Sequence, residues 1–171
     1  MKKCLLFFCF VFSISFLFAQ NKTWNGASNG LWSTASNWLP VGMPGSTDTV
    51  IFNSANSCDL DVSPVIAALR ATGVGGNLIS SIATRSMTIG NSGAVPSVFS
   101  VATGAIFGMG NGGFGISFST YGTGGANTSQ VAGTLVLGFA SSWIVNNVGA
   151  TNITNVDVSG TINLPTIYTG T

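Results

Sequence analysis

Histidine and glutamate are absent from all 171 residues, and charged residues make up only 5% of the sequence. Histidine is the usual general base and a common metal ligand near neutral pH, so histidine-based catalytic and metal centres are excluded. The few cations are scattered, and no basic patch of the kind that binds nucleic acid is present. The sequence therefore predicts a protein without enzymatic activity and without a nucleic-acid partner.

Cysteine is scarce as well, with two of its three residues, Cys4 and Cys9, inside an apolar N-terminal run. Their neighbours are large and aromatic, unlike the small residues that precede a lipid-anchored cysteine. Beyond that run only Cys58 remains, so an internal disulfide is excluded. Without histidine to activate its thiol, Cys58 is expected to be a small buried apolar side chain.

The first nineteen residues have the organisation of a secretory signal peptide. Lys2 and Lys3 form a positive start, an apolar run follows to Phe18, and Ala19 precedes Gln20 at a cleavage point. The run is too short to be a stable membrane anchor. We therefore expect residues 1–19 to be removed, and the protein to be secreted or placed at the cell surface with no membrane span.

Beyond the leader, short apolar stretches alternate with turns rich in glycine and asparagine. The clearest stretch is 155–164, NVDVSGTINL, in which apolar and polar side chains alternate with the period of two typical of a strand. The segment 63–73 has the capping residues of a helix, but a strand reading is preferred there too. The interior-facing residues are predicted to be Val156, Val158, Ile162 and Leu164, stacked on Leu135, Leu137 and Phe139.

A repeat becomes visible when strand starts are aligned. Gly76, Gly104, Gly133 and Gly160 each precede a small or polar residue and then an aliphatic one, at spacings of 28, 29 and 27 residues. A near-constant period in this range indicates a solenoid, in which each unit buries its apolar face against its neighbours. An all-β solenoid is therefore predicted, with a β-sandwich as the alternative.

The stretch from Thr23 to Phe52 is dense in tryptophan, glycine and proline. It reads TWNGASNGLWSTASNWLPVGMPGSTDTVIF, with Trp24, Trp32 and Trp38 inside fifteen positions. This pattern resembles a motif of large secreted β-helix surface proteins of the Bacteroidetes, and the strand Ser-Gly-Thr-Ile-Asn-Leu is similar to repeats of autotransporter passengers. The resemblance implies export, a right-handed parallel β-helix and a C-terminal sorting or translocator domain.

Two groups of residues are candidates for a site. The aromatic faces of Trp24, Trp32 and Trp38 form either a platform for sugar rings or a cap that covers the first coil of the solenoid; the position before the coils favours the cap. Asp59 and Asp61 are two residues apart and point to the same side of a strand, so they could hold calcium, or serve as acid and base with Arg70 or Arg85 as a cation.

These observations predict a signal peptide (1–19), a tryptophan-rich capping segment (20–55) and solenoid repeats of about 28 residues (56–171). Because no cap follows the last strand pattern, the sequence is expected to be part of a longer chain. The predicted function is an exported structural or adhesive surface module that contacts surface glycans or neighbouring surfaces. The alternative is a carbohydrate-active β-helix protein, either a polysaccharide lyase or a glycan-binding module.

Overall fold

Short strands account for nearly all the regular structure of the residues that the structure describes. In a computed structural model, the described residues are 19–27, 30–90, 98–110, 112–122, 127–138, 140–147 and 154–164. The strands are β1 (Asn21–Trp24), β2 (Trp38–Leu39), β3 (Thr49–Phe52), β4 (Ser57–Asp59), β5 (Val65–Ile66), β6 (Ala68–Ala71), β7 (Val74–Ile79), β8 (Arg85–Ile89), β9 (Phe99–Val101), β10 (Ile106–Met109), β11 (Ile116–Gly122), β12 (Asn127–Val131), β13 (Thr134–Leu137), β14 (Ser142–Asn147), β15 (Thr154–Val158) and β16 (Thr161–Asn163). The helical structure of the described ranges is one 3-10 turn, Ala35–Asn37.

The strands form three sheets that run along the molecule. Sheet A has the order β15-β12-β9-β6-β3-β1-β2, sheet B the order β16-β13-β10-β7-β4, and sheet C the order β14-β11-β8-β5. Each sheet therefore takes about every third strand of the chain. The chain thus winds through sheets A, B and C in turn, and four successive coils, from β3 to β14, contribute a strand to all three.

Parallel pairing distinguishes this fold from the β-sandwich that the sequence left as the alternative. All strand pairs of the described ranges are parallel except β1 with β2. A β-sandwich is built from antiparallel sheets, so the sandwich alternative is wrong and the β-solenoid is confirmed. The segment 63–73 contains β5 and β6, which confirms the strand interpretation over the helix.

The core consists of side chains that stack in columns inside the coils. Parallel in-register pairing places Phe107 beside Leu135, and Leu135 beside Ile162, along sheet B. Along sheet C, Phe118 pairs in register with Trp143, and their rings stack at a centroid distance of 5.2 Å. Each coil thus covers the apolar face of the one before it, which is how a solenoid buries a core that no single unit could bury.

The predicted inward face is confirmed in part. Leu135 and Leu137 are buried, and Ile162 packs against the core. Val156 and Val158 pair in register with the buried Ser129 and Val131, so they share the inward face, yet both are exposed by more than a third.

Two residues of that prediction have a different outcome. Leu164 is 70% exposed, so its inward assignment is wrong; it follows the end of β16 and has left the strand whose alternation pointed it inward. Phe139 lies outside the described residues.

Glycine marks the corner between sheets A and B, where the backbones of successive coils lie close together. An added Cβ at Gly133 would lie 2.3 Å from the carbonyl oxygen of Ala102, and one at Gly160 would lie 2.0 Å from that of Gly133. The same corner of an earlier coil is occupied by Gly73, whose Cβ would lie 2.4 Å from the backbone of Asn53. A side chain is therefore excluded at these positions by the backbone of the preceding coil.

The alignment on Gly76 and Gly104 is wrong, although the repeat itself is present. Gly76 pairs with Phe107, inside a strand, and the corner glycine of that coil is Gly73. Gly104 has a φ of +78° in a turn and lies one residue out of register with Gly133. The corners of the coils contain different numbers of residues, so a single period cannot align them.

The predicted cap and the solenoid overlap in the structure. Strands β1 and β3 lie within the segment 20–55, yet both belong to sheet A and pair with each other in parallel. The solenoid therefore begins at Asn21, and the capping element proper is the excursion between β1 and β3. Within the described ranges, no helix has the length and apolar character needed to cross a membrane.

Candidate functional site

Three tryptophan rings fill the N-terminal end of the solenoid. Trp24, Trp32 and Trp38 are 1%, 0% and 0% exposed. The ring of Trp38 lies edge-to-face between the other two, with centroid distances of 4.9 Å to Trp24 and 4.7 Å to Trp32. Phe52 of the next coil continues the cluster at 6.2 Å from Trp24 and 6.4 Å from Trp38. Such edge-to-face pairs gain energy beyond the burial of their area.

Burial of these rings decides between the two interpretations of the tryptophans. A sugar platform requires an exposed ring face, and none of the three indoles has one. The platform assignment of Trp24, Trp32 and Trp38 is therefore wrong. The rings instead cover the interior of the first complete coil, as Phe52 lies beneath them. Trp38 also begins β2, which pairs antiparallel with β1 and covers the outer edge of sheet A.

Polar groups inside this cluster hold the capping loop in place. The indole N–H of Trp38 donates to the carbonyl oxygen of Trp32 at 2.8 Å, inside the core. The side-chain amide of the fully buried Asn37 donates to the backbone carbonyl of Leu31 at 2.9 Å. The backbone carbonyl of Asn37 accepts the backbone N–H of Asn25, also at 2.9 Å. Asn37 was not among the predicted site residues, and its only signal in the sequence is its position directly before Trp38.

Asp59 and Asp61 connect their coil to the coils on either side. The carboxylate of Asp59 accepts the backbone N–H of Ser81 at 3.2 Å and the hydroxyl of the same serine, on the following coil. The carboxylate of Asp61 accepts the backbone N–H of Ser33 at 3.0 Å and its hydroxyl, on the preceding coil. The two aspartates thus act in opposite directions as links between stacked coils.

The same contacts bear on calcium binding at this pair. Both oxygens of each carboxylate already accept a hydrogen bond from a serine, so calcium would have to compete with these donors. The described residues contain no group of three or more histidine, cysteine, aspartate or glutamate side chains that could hold a metal ion. Arg70 lies on sheet A, whereas Asp59 ends a strand of sheet B, so this arginine is on another face.

Cys58, directly before Asp59 on β4, is buried inside the solenoid, as the sequence predicted. Burial raises the pKa of its thiol well above the ordinary value, and the negative charges of Asp61 and Asp59 raise it further. The thiol is therefore neutral and inaccessible, which is the opposite of what a reactive cysteine needs.

Two charged residues, Lys22 and Asp48, are buried next to the cap. The ammonium of Lys22 donates to the carbonyl oxygens of Pro40 at 3.1 Å and Val41 at 3.5 Å, and so holds the loop that follows β2. Asp48, which is 8% exposed, accepts the backbone N–H groups of Gln20 and Gly45, each at 2.9 Å. Burial of these charges could not be read from composition, because both residue types are usually solvated.

Columns of polar side chains run along the outer faces of sheets A and C. Along sheet C, Ser86, Ser117 and Ser142 form an in-register column in which the last two hydroxyls lie 2.9 Å apart. The matching column of sheet A contains Arg70, Ser100, Gln130 and Asp157. Hydroxyl and amide groups therefore supply much of the surface that a partner would meet.

Comparisons with protein-family models, with curated proteins and with solved structures found no match to this chain.

Proposed function

We propose that this chain is an exported structural or adhesive module of a bacterial cell surface. The observation that carries the proposal is that several of its few charged side chains form hydrogen bonds with the chain's own backbone. Asp48, Asp59 and Asp61 all bind backbone groups of the solenoid itself, and Lys22 binds carbonyls of the cap. These four side chains stabilise the solenoid and its cap, which suits a spacer or adhesive element.

Export rests on the N-terminal sequence and on the resemblance to secreted β-helix surface proteins of the Bacteroidetes. A Lys-Lys start, an apolar run and Ala19 are the three parts of a cleavable leader. The fold agrees with the placement of the cleavage point, because β1 begins at Asn21, one residue beyond Gln20. The whole of the first strand would therefore be kept after processing.

The test of export is expression of the full chain in a bacterium, followed by cell fractionation and N-terminal mass spectrometry. The expected product is an exported protein that begins at Gln20. A matched variant with Phe10→Asp interrupts the apolar run and should remain in the cytoplasm with its leader attached. An exported protein that keeps Met1, or a parent chain that stays in the cytoplasm, contradicts the proposal.

The carbohydrate-active alternative is addressed by a second measurement on the exported protein. Its main support was a tryptophan platform, and the tryptophans are buried. We expect no release of reducing ends or unsaturated products from acidic and neutral polysaccharides. Polysaccharide cleavage that is lost in an Asp59→Asn variant with unchanged folding would replace the structural proposal with an enzymatic one.

A further inference from the structure

The first residue beyond the expected cleavage point is held by a buried carboxylate. The backbone N–H of Gln20 donates to one oxygen of Asp48 at 2.9 Å, while the N–H of Thr49 donates to the carbonyl of Gln20 at 2.8 Å. The other oxygen of Asp48 accepts the N–H of Gly45, also at 2.9 Å. Gln20 is thus bound at both its nitrogen and its carbonyl oxygen, although it is itself exposed.

The carboxylate of Asp48 has amide donors but no cation bound to it in the described ranges. The cation on the adjacent strand, Lys22, donates to the carbonyls of Pro40 and Val41 instead. The cation on β6, Arg70, is exposed on the outer face of sheet A. A carboxylate that is 8% exposed and bound by neutral donors alone is a site where a positive charge would be stabilising.

We propose that cleavage after Ala19 supplies this charge, because the new α-ammonium group of Gln20 forms an ion pair with Asp48 that locks the first coil. Hydrolysis of the Ala19–Gln20 peptide bond by a signal peptidase adds water across it. The oxygen goes to the carbonyl carbon of Ala19, and the nitrogen of Gln20 becomes an amine that takes up a proton at neutral pH. The inference rests on the proposed export and gives processing a structural consequence.

The geometry requires little movement for this change. The nitrogen that becomes the ammonium group already lies 2.9 Å from Oδ1 of Asp48, within the range of a charge-assisted hydrogen bond. A competing reaction is cyclisation, in which this nitrogen attacks the side-chain amide carbon of Gln20 and ammonia leaves. The product keeps one N–H but is neutral, so it separates the effect of the charge from that of the hydrogen bond. An ammonium group bound by Asp48 is also a poor nucleophile, so cyclisation should be slow.

The experiment compares three forms of the mature chain with defined N-termini. These are residues 20–171 with a free amine, the same chain cyclised by a glutaminyl cyclase, and residues 19–171. At neutral pH and low salt the free-amine form should melt about 2–4 °C above the other two, the shift expected of a single charged hydrogen bond in a chain of this size. Asp48→Asn should abolish the difference and accelerate the loss of ammonia seen by mass spectrometry. Equal melting temperatures of the parent forms, or a difference that persists in Asp48→Asn, overturns the proposal.

A second readout does not depend on whether the Asp48 variant folds. An ion pair raises the pKa of the amine in the folded chain above its unfolded value of about 7.7–8.0. The added stability should therefore be complete below pH of about 7 and should be lost as the pH rises through the folded pKa. NMR titration of the α-amine in residues 20–171 should give a raised pKa, and an unshifted value overturns the ion pair. Cleavage elsewhere than after Ala19 in the exported protein overturns the proposed processing as well, whereas correct cleavage with equal melting overturns only the ion pair.

Discussion

Replacement of Trp38 by alanine should remove more stability than any other single change in the cap. The side chain is fully buried, lies edge-to-face against Trp24 and Trp32, and donates its N–H to a buried carbonyl. A buried tryptophan removes roughly 150–250 Å² from water, which at about 25 cal/mol per Å² is about 4–6 kcal/mol. Measured truncations of this kind cost about 3–5 kcal/mol, and that is the loss expected here.

The loss should be local as well as large, because each coil of a solenoid contacts only its neighbours. Trp143 lies in β14, outside the cap, so the measurements are made in a Trp143→Phe background. Urea unfolding followed by tryptophan fluorescence then reports the cap, and far-ultraviolet circular dichroism reports the whole solenoid. In Trp38→Ala the fluorescence transition should move to lower urea first, while much of the strand signal persists. A Trp38→Phe variant keeps most of the area but loses the N–H donor, so its loss should be smaller.

Leu39 provides the matched control, since it is adjacent in the same strand and half exposed. Leu39→Ala should change the free energy of unfolding by no more than about 0.5 kcal/mol, as is usual at exposed positions. If Trp38→Ala unfolded at the same urea concentration as Leu39→Ala, the tryptophan cluster would not be the cap that the burial indicates.

Four further changes probe the coils. Leu137→Asp places an unpaired charge inside the solenoid and should lower the free energy of unfolding in urea by several kcal/mol. Thr134→Asp, on the outer face of the same strand, should lower it by about 1 kcal/mol or less, and equal losses would mean that the inward face is assigned wrongly. Gly133→Ala, whose Cβ would meet backbone at 2.3 Å, should lower the melting temperature by several degrees, and a neutral result would show that the coils can separate there. Because the pKa of Cys58 is raised in the folded chain, the free energy of unfolding should fall as the pH rises above about 8.5. Cys58→Ala should lessen that fall, and the same pH dependence of stability in the parent and the variant would contradict the burial of the thiol. Asp61→Asn weakens a charge-assisted link to a serine on the preceding coil and should cost about 1 kcal/mol or less by urea unfolding, because the link is exposed to solvent. Calcium should leave the melting temperature of the parent unchanged, and a calcium-dependent rise would restore the metal site.

The fold class could be predicted because the alternation of apolar residues and the glycine repeat both follow from stacking. Leu135 and Leu137 face inward as the period of two requires, and Gly133 and Gly160 occupy equivalent corners. The positions of the corners in the earlier coils could not be predicted, because the corners contain different numbers of residues. A fixed spacing in the sequence therefore does not lead from one corner to the next. Gly76 fits the sequence pattern, yet it pairs inside a strand with Phe107, and the corner belongs to Gly73.

The candidate sites were harder to predict, because the same residue types serve a ligand and a packed coil equally well. Three tryptophans among glycines fit a sugar platform and a cap alike, and the burial of their ring faces separates the two. Asp59 and Asp61 do have the spacing of a paired site, but the solenoid brings a serine of the next coil to one and a serine of the previous coil to the other. These contacts join residues 22 and 28 positions apart, a distance over which strand alternation carries no information. In a solenoid, therefore, a polar residue at a corner is better judged by what the adjacent coils bring to it than by its neighbours in the sequence, and a ligand site would need polar groups that those coils leave unpaired.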